Sequence, residues 1–492
     1  MVSFRAAGAS GALIAVGAVT AAGFVLRLAG LDESLFGDEL FAYDEVHGHS
    51  LGGVIDNVAS GEENSPPLYF VLAWAAMKLG DPTVLIRLPS LVLGAATVPL
   101  VYLLGERTVG RAAGLTGAAL TAFSPLAVYF SVEARPYAVL MFLLTASTLV
   151  LLRALRDERF AWWLLYGALG AAALYTHYTA VAAIAVQFAW ALWWHRERAR
   201  ELVAVHAAVL VAFLPWLPGL AEQRRGAQDL DVTGAIFPLT VDSFARTTAQ
   251  IVPGYPRASL AEVPGRLGMW LFGVAVAVAL AGAVVAALRR RAWPTPDGSP
   301  SMLALVAGLA LAAPLCILGY SLFGADIYTP RHLLASLPAV ALLLGLLFTT
   351  LPRPLMAATL VMAFAALTVG LVRALDPERA RPPLKAAARF IDARAGPRDP
   401  VVEYVFLARH GLFARHLEIN FERPHPLRQT GLVGAGRFWG SVERARRIFV
   451  VEAWVDPPQR NPLPAEVARR FAAPVTTVWR GKPAVAVLEY RR

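Results

Sequence analysis

Asp38 and Glu39, in the stretch Gly37-Asp38-Glu39-Leu40-Phe41, are the residues of this chain best suited to move a proton. Phe36, Leu40 and Phe41 give them apolar neighbours. A carboxylate partly withdrawn from water in such a place suits a general base working near neutral pH. The acids around them (Asp32, Glu33, Asp44, Glu45, Asp56, Glu62, Glu63 and Asp81) are met by one lysine, Lys78, and read as a solvated acidic loop. Other reactive side chains sit in short polar breaks within apolar sequence. Glu133, Arg135 and Tyr137 lie in "SVEARPY", His177 and Tyr178 in "YTHY", and Tyr328, Arg331 and His332 in "DIYTPRHLL". An arginine so placed can clamp a phosphate. Taken singly, each group also reads as an interfacial ion pair, a belt tyrosine, a structural histidine or a helix-end arginine. A divalent metal ion held by Asp38, Glu133 or His177 stays open, although the spacing forms no metal motif.

The elements that must position these groups follow from composition. Of 492 residues, 57% are apolar and 16% charged, and the mean hydropathy is +0.54. Soluble domains carry about 25% charged residues, so the chain reads as a polytopic membrane protein with a soluble part. Its one cysteine, Cys316, excludes an intrachain disulfide. The net charge of +10 comes from arginines scattered over loops and one terminal region. That distribution suits membrane topology and anionic lipid rather than nucleic acid.

Eleven apolar runs reach spanning length, at 9–29, 84–105, 112–131, 136–153, 160–176, 177–195, 202–220, 266–288, 302–323, 332–351 and 354–375. The first reads as a retained anchor. A shorter run, "PPLYFVLAWAAMKLG" at 66–80, decides the orientation. If it lies along the membrane, then Arg5, Arg107 and Arg111, Arg153 to Arg159, Arg196 to Arg200, Arg289 to Arg291 and Arg353 fall on one side. The positive-inside rule makes that side cytoplasmic. The expected protein is therefore a multi-pass plasma-membrane protein with a cytoplasmic N-terminus. Its loops 31–83 and 221–265 and its tail are external.

The tail differs in kind. "PLKAAARFIDARAG" and "LPAEVARRF" read as helices. "PVVEYVFLA" and "RRIFVVEAW" read as strands, and "VTTVWRGKPAVAVLEY" as two strands around a turn. The fold class is thus mainly α, with about eleven transmembrane helices over 1–375, followed by an external α/β domain over 376–492. The tail holds about nine more basic than acidic residues, which suits an acidic acceptor, anionic head groups or a polyanionic polymer.

The sequence resembles the GT-C superfamily of membrane glycosyltransferases. Within it the nearest group is the protein O-mannosyltransferases and aminoarabinose transferases (glycosyltransferase family 39-like). The resemblance rests on "GDELFAYDE", "NSPPLYF", "RLPSLVLGAATVPLVYLLGERTVGRAAGL", "ARPYAVL", "YTHYT" and "YTPRHLLASLPAVALLLG", over about 30–350. It implies that Asp38 is the catalytic base or its close partner, with Glu39 the second acid of the pair. Ser65 stands where many members carry His or Lys, and Glu133 is the nearest acid to an Asp that relatives often have. It implies a polyprenyl-phosphate sugar donor, a lipid, glycan or protein acceptor, and contact with membrane lipids. Transfer would invert the anomeric carbon, with Arg331, and Arg135 or His177, steadying the leaving phosphate. Glu133, Tyr137, Tyr178, Tyr328 and His332 would complete the substrate site. Two other classes fit parts of the sequence, a lipid-linked sugar transporter or flippase and a non-catalytic envelope scaffold. Transporters place ionisable groups at mid-membrane and show paired repeats; these spans are almost free of charge and no repeat is visible.

Overall fold

The structure is a computed structural model that describes residues 2–60, 63–157, 159–228, 238–288, 300–404, 417–430, 442, 445–452, 465–482 and 484–492. The chain divides into two compact units, Met1–Ala29 with Glu45–Ala374, and Gly30–Asp44 with Leu375–Arg492.

The first unit is helical. Each expected apolar run forms helix: Val2–Leu28, Leu88–Thr108, Arg111–Phe123 with Pro125–Ser131, Tyr137–Ala154, Phe160–Thr176, Ala180–Trp194, Ala199–Phe213, Arg266–Leu288, Pro300–Phe323, Leu337–Thr349 and Arg353–Ala374. Among the described residues, eight helices are long and apolar enough to cross a bilayer, and a bent pair makes nine. Phe160–Thr176 and Ala180–Trp194, with 17 and 15 residues, lie at or below the length a span needs. The protein is a multi-pass membrane protein. The run at 66–80 yields only the 10-residue helix Leu68–Met77. At 1.5 Å per residue this is about 15 Å, half a bilayer core. The expected loop 221–265 is partly helical, over Leu217–Gln228 and Val241–Ala249.

Two local features place the site. Arg111–Phe123 and Pro125–Ser131 meet at 59°. Pro125 has no N–H to give, and Ser124 before it is held extended, so the helix must break there. The Ser124 hydroxyl donates to the Val252 carbonyl at 2.7 Å. The break aims the chain into the tight turn that carries Glu133 and Arg135. Nearby, Gly105 and Gly114 let Leu88–Thr108 and Arg111–Phe123 touch backbone to backbone. A Cβ added at Gly105 would sit 2.4 Å from the Gly114 Cα. Membrane helices lacking a hydrophobic drive to associate rely on such close packing.

A buried polar lattice ties further helices together. Gln187 donates to Ser147 and Thr148 at 2.9 Å each and accepts from the Tyr166 hydroxyl at 3.1 Å. Every bond here joins different helices, so the lattice fixes their register.

The second unit holds a five-stranded mixed sheet of order β2-β1-β3-β5-β4. Its strands are β1 Val401–Tyr404, β2 Leu427–Thr430, β3 Arg447–Glu452, β4 Val475–Trp479 and β5 Val485–Arg491. β1 runs parallel to β2 and β3, while β5 runs antiparallel to β3 and β4. Alternate residues of β5 serve opposite faces. Val485 and Val487 pack with Leu384, Ala387, Ala388 and Ile391 of the helix Leu384–Arg394. Ala486, Leu488 and Tyr490 pack with Val467 and Phe471. The expected strands and helices of the tail are all found where they are described, and β2 is an addition.

Candidate active site

In the first unit the three short polar breaks converge. Tyr137 opens the helix Tyr137–Ala154, His177 lies in the turn after Phe160–Thr176, and His332 lies in the short helix Pro330–Leu333. The Tyr137 ring is 5.5 Å from that of His177 and 6.1 Å from that of His332, and the two imidazoles are 5.8 Å apart. Phe130, Tyr129 and Tyr255 continue the aromatic wall, each ring 5.1 to 5.3 Å from the next.

The two histidines are held in opposite tautomers. His177 Nδ1 accepts from the Thr179 backbone N–H at 3.2 Å, so its proton belongs on Nε2. His332 Nδ1 faces the Ile327 carbonyl at 2.6 Å and must donate, which leaves Nε2 as an acceptor. The cluster therefore offers both a donor and an acceptor at neutral pH. Burial first, and then the charges of Arg135 and Arg331, push the His177 imidazole down to about 3. That environment favours the neutral imidazole, which offers hydrogen bonds rather than charge.

That shift has a pH consequence. The unfolded imidazole takes a proton below its usual 6.5, while the folded one resists until about 3. The unfolded state binds more protons in this window, so stability falls as pH drops through it. The melting temperature of His177→Asn, followed by tryptophan fluorescence in detergent, should fall less than that of the wild type between about pH 7 and about pH 5. An equal fall would show that His177 titrates alike in both states.

Arg135 is fixed by Glu63, whose carboxylate it grips with both terminal nitrogens at 2.6 and 2.9 Å. The side chains are 9% and 3% exposed, so the pair is withdrawn from water. Ser90 on Leu88–Thr108 donates to the Arg135 carbonyl at 3.0 Å. Glu133, also buried, lends its carbonyl to the Arg135 N–H at 2.8 Å. Tyr178 donates to Gln223 at 2.5 Å and accepts from the Trp216 indole at 2.9 Å. Gln223 in turn donates to the carbonyls of Val58 and Ser65 at 2.7 and 3.1 Å. The segment around "ENSPP" is thereby tied to helix Leu217–Gln228.

Tyr328 has different surroundings. It lines an apolar cleft of about 440 Å³ with Phe244, Phe272, Leu315, Val340 and Leu344. Its hydroxyl meets that of Thr248 at 2.9 Å. One segment, Asp326 to Leu333, thus presents Tyr328 to a greasy cleft and His332 to the histidine–tyrosine cluster. Arg331, partly exposed, stands between them in sequence.

In the second unit, Gly37 adopts a left-handed backbone (φ +59°) that a side chain would strain. It turns the chain into the helix Asp38–Val46. Asp38 is half-buried in the first turn, where a negative charge is favoured by the helix dipole. Glu39 is fully buried and forms an ion pair with Arg381 at 3.2 Å. Among the described residues, no group of three or more His, Cys, Asp or Glu is arranged to hold a metal ion.

Residues 64–221 match the family model described as dolichyl-phosphate-mannose-protein mannosyltransferase. The fold is similar to that of ArnT from Cupriavidus metallidurans. For ArnT in the apo state the TM-score is 0.55 at 15% identity, covering 98% of each chain. For ArnT bound to undecaprenyl phosphate it is 0.52 at 14% identity, covering 97% of each chain. The apo Archaeoglobus fulgidus oligosaccharyltransferase is also similar, with a TM-score of 0.51 at 12% identity, covering 89% of this chain and 69% of that one. The chain thus shares the fold of these solved structures, and residues 64–221 carry the pattern of that mannosyltransferase family model. No curated protein sequence matches it.

Two participants in this candidate site escape a reading of motifs. Glu63 looks like one more solvated acid, yet it is the carboxylate that orients Arg135; its place directly before "NSPP" is the only hint. Gln223 lies in a stretch read as loop, and nothing local marks it.

Proposed function

We propose that this protein transfers a sugar, with inversion, from a polyprenyl-phosphate carrier to an acceptor hydroxyl or amine on the outer side of the plasma membrane. The observation that carries this reading is the double exposure of Asp326 to Leu333, with Tyr328 in an apolar cleft and His332 among polar rings. A ligand with a hydrocarbon tail and a polar head needs both. The likeness in fold to a protein crystallised with undecaprenyl phosphate supports a carrier of this class.

In the proposed reaction the acceptor heteroatom bonds to the anomeric carbon and gives its proton to Asp38. The bond from that carbon to the phosphate oxygen breaks, and its electron pair leaves with the polyprenyl phosphate. Arg331 and Arg135 counter the charge that grows on the phosphate, where fixed cations act most strongly. His177 Nε2–H and the His332 Nε2 lone pair orient sugar hydroxyls. The arginine-rich breaks between spans support a cytoplasmic N-terminus and an external tail.

The cleft gives a direct test. Val340→Trp fills it, so competition by a long-chain polyprenyl phosphate against a fluorescent analogue should weaken at least tenfold. Binding of a five-carbon isoprenyl phosphate should change less than twofold. Equal loss for both ligands, or no loss for either, would remove the cleft from the donor site.

A further inference from the structure

We infer that Arg381, more than 300 residues from the acidic loop, is a positioning residue for Asp38. The inference deepens the reading of Asp38 as general base and rests on it.

Arg381 sits at the entry to the tail and is 2% exposed, yet its charge is spent on the first loop. Its Nε pairs with Glu39 at 3.2 Å and its Nη1 with Glu33 at 2.9 Å. Glu39 is fully buried, and its carboxylate also accepts from the Phe36 N–H at 3.3 Å. Glu39 therefore closes the turn Phe36-Gly37-Asp38, and Arg381 fixes Glu39. Next to this clamp, Lys385 donates to the Asp32 carboxylate at 2.7 Å, and its backbone N–H donates to the Ser34 hydroxyl at 3.0 Å. Both acids that Arg381 holds flank Asp38 in sequence.

The clamp is anchored to a rigid element. The Ala380 carbonyl accepts from the Lys482 N–H at 2.9 Å, in the turn joining β4 and β5. Four residues on from Ala380, Leu384 is buried in the core between the sheet and the helix Leu384–Arg394. A mechanical line thus runs from the sheet, through Ala380 and Arg381, to Glu39 and the first turn of Asp38–Val46. The tail domain sets where the Asp38 carboxylate stands, without any of its own residues having to touch substrate. Glu39 belongs to this frame, since its carboxylate is engaged on both sides.

A base displaced by about 1 Å loses on the order of 10² in rate. Arg381→Met should lower kcat for sugar transfer about 10²-fold and change KM for the polyprenyl-phosphate sugar less than threefold. Arg381→Lys keeps a charge for one carboxylate and should recover at least tenfold of that loss. Glu39→Leu with Arg381→Met removes both fully buried charges of the clamp and should also exceed Arg381→Met. The assays use full-length protein in detergent, with Asp38→Asn alongside and elution volume on gel filtration as the check on folding. If Arg381→Met turns over like wild type while Asp38→Asn is inactive, the positioning role falls and the base stands. If Asp38→Asn is fully active, the base reading falls. If Arg381→Met and Arg381→Lys are equally inactive and both aggregate, Arg381 serves folding alone and the positioning role is overturned.

Discussion

Asp38→Asn should slow the proposed sugar transfer by a factor of about 10² to 10⁴ and leave the protein folded. The size of the effect comes from the proton. Asparagine keeps the shape and the hydrogen-bonding oxygen of aspartate but cannot accept a proton from the acceptor. The position tolerates the change, because asparagine is well suited to the start of a helix and Asp38 is half-buried rather than locked in a core. Gly37, whose left-handed backbone sets the turn, is untouched. The loss should fall on kcat, with KM for the donor nearly unchanged, since the base acts on the acceptor as the new bond forms. Initial rates with varied donor at saturating acceptor read this split. A variant with normal kcat would remove Asp38 from the chemistry.

Glu63→Ala should destabilise the protein by about 3–5 kcal/mol, because it withdraws the carboxylate from a buried arginine. The two-pronged grip, at 2.6 and 2.9 Å with both side chains nearly closed to solvent, makes this pair unlike a surface ion pair. Surface pairs contribute only about 0–1 kcal/mol. Glu63→Met with Arg135→Met removes both charges and should be less destabilising than Glu63→Ala. The half-life of folded protein in detergent at a fixed raised temperature reads both effects. The single variant also removes the two-pronged hold on the Arg135 side chain, so its transfer rate should fall further than its folded fraction. Wild-type stability in Glu63→Ala would mean that the pair carries no weight in this fold.

Much of this arrangement can be read in the sequence. Apolar runs of spanning length have a strong compositional signature, and each becomes helix. The strands of the tail alternate or run apolar between turn residues, and those described are found. Tyr137, His177 and His332 are visible as polar residues in short breaks, and the helices that flank those breaks bring their rings together. What stays hidden is pairing at long range. Glu63 and Arg135 are 72 positions apart and Glu33 and Arg381 are 348 apart, and no periodicity links them. Surplus acids in a loop look alike until the fold chooses which of them to bury. β2 is missed for a related reason: four residues at a sheet edge, following His-Pro, make too short a pattern. Phe160–Thr176 and Ala180–Trp194 are apolar but shorter than the helices that reach spanning length.

The decisive measurement is the release of polyprenyl phosphate by purified protein given a panel of polyprenyl-phosphate sugars and an acceptor mixture, with Asp38→Asn run beside the wild type. The wild type should release the carrier from at least one donor, with the sugar inverted in the product, and Asp38→Asn should fall at least 10²-fold behind. Release from no donor, or equal release by both proteins, would contradict the account.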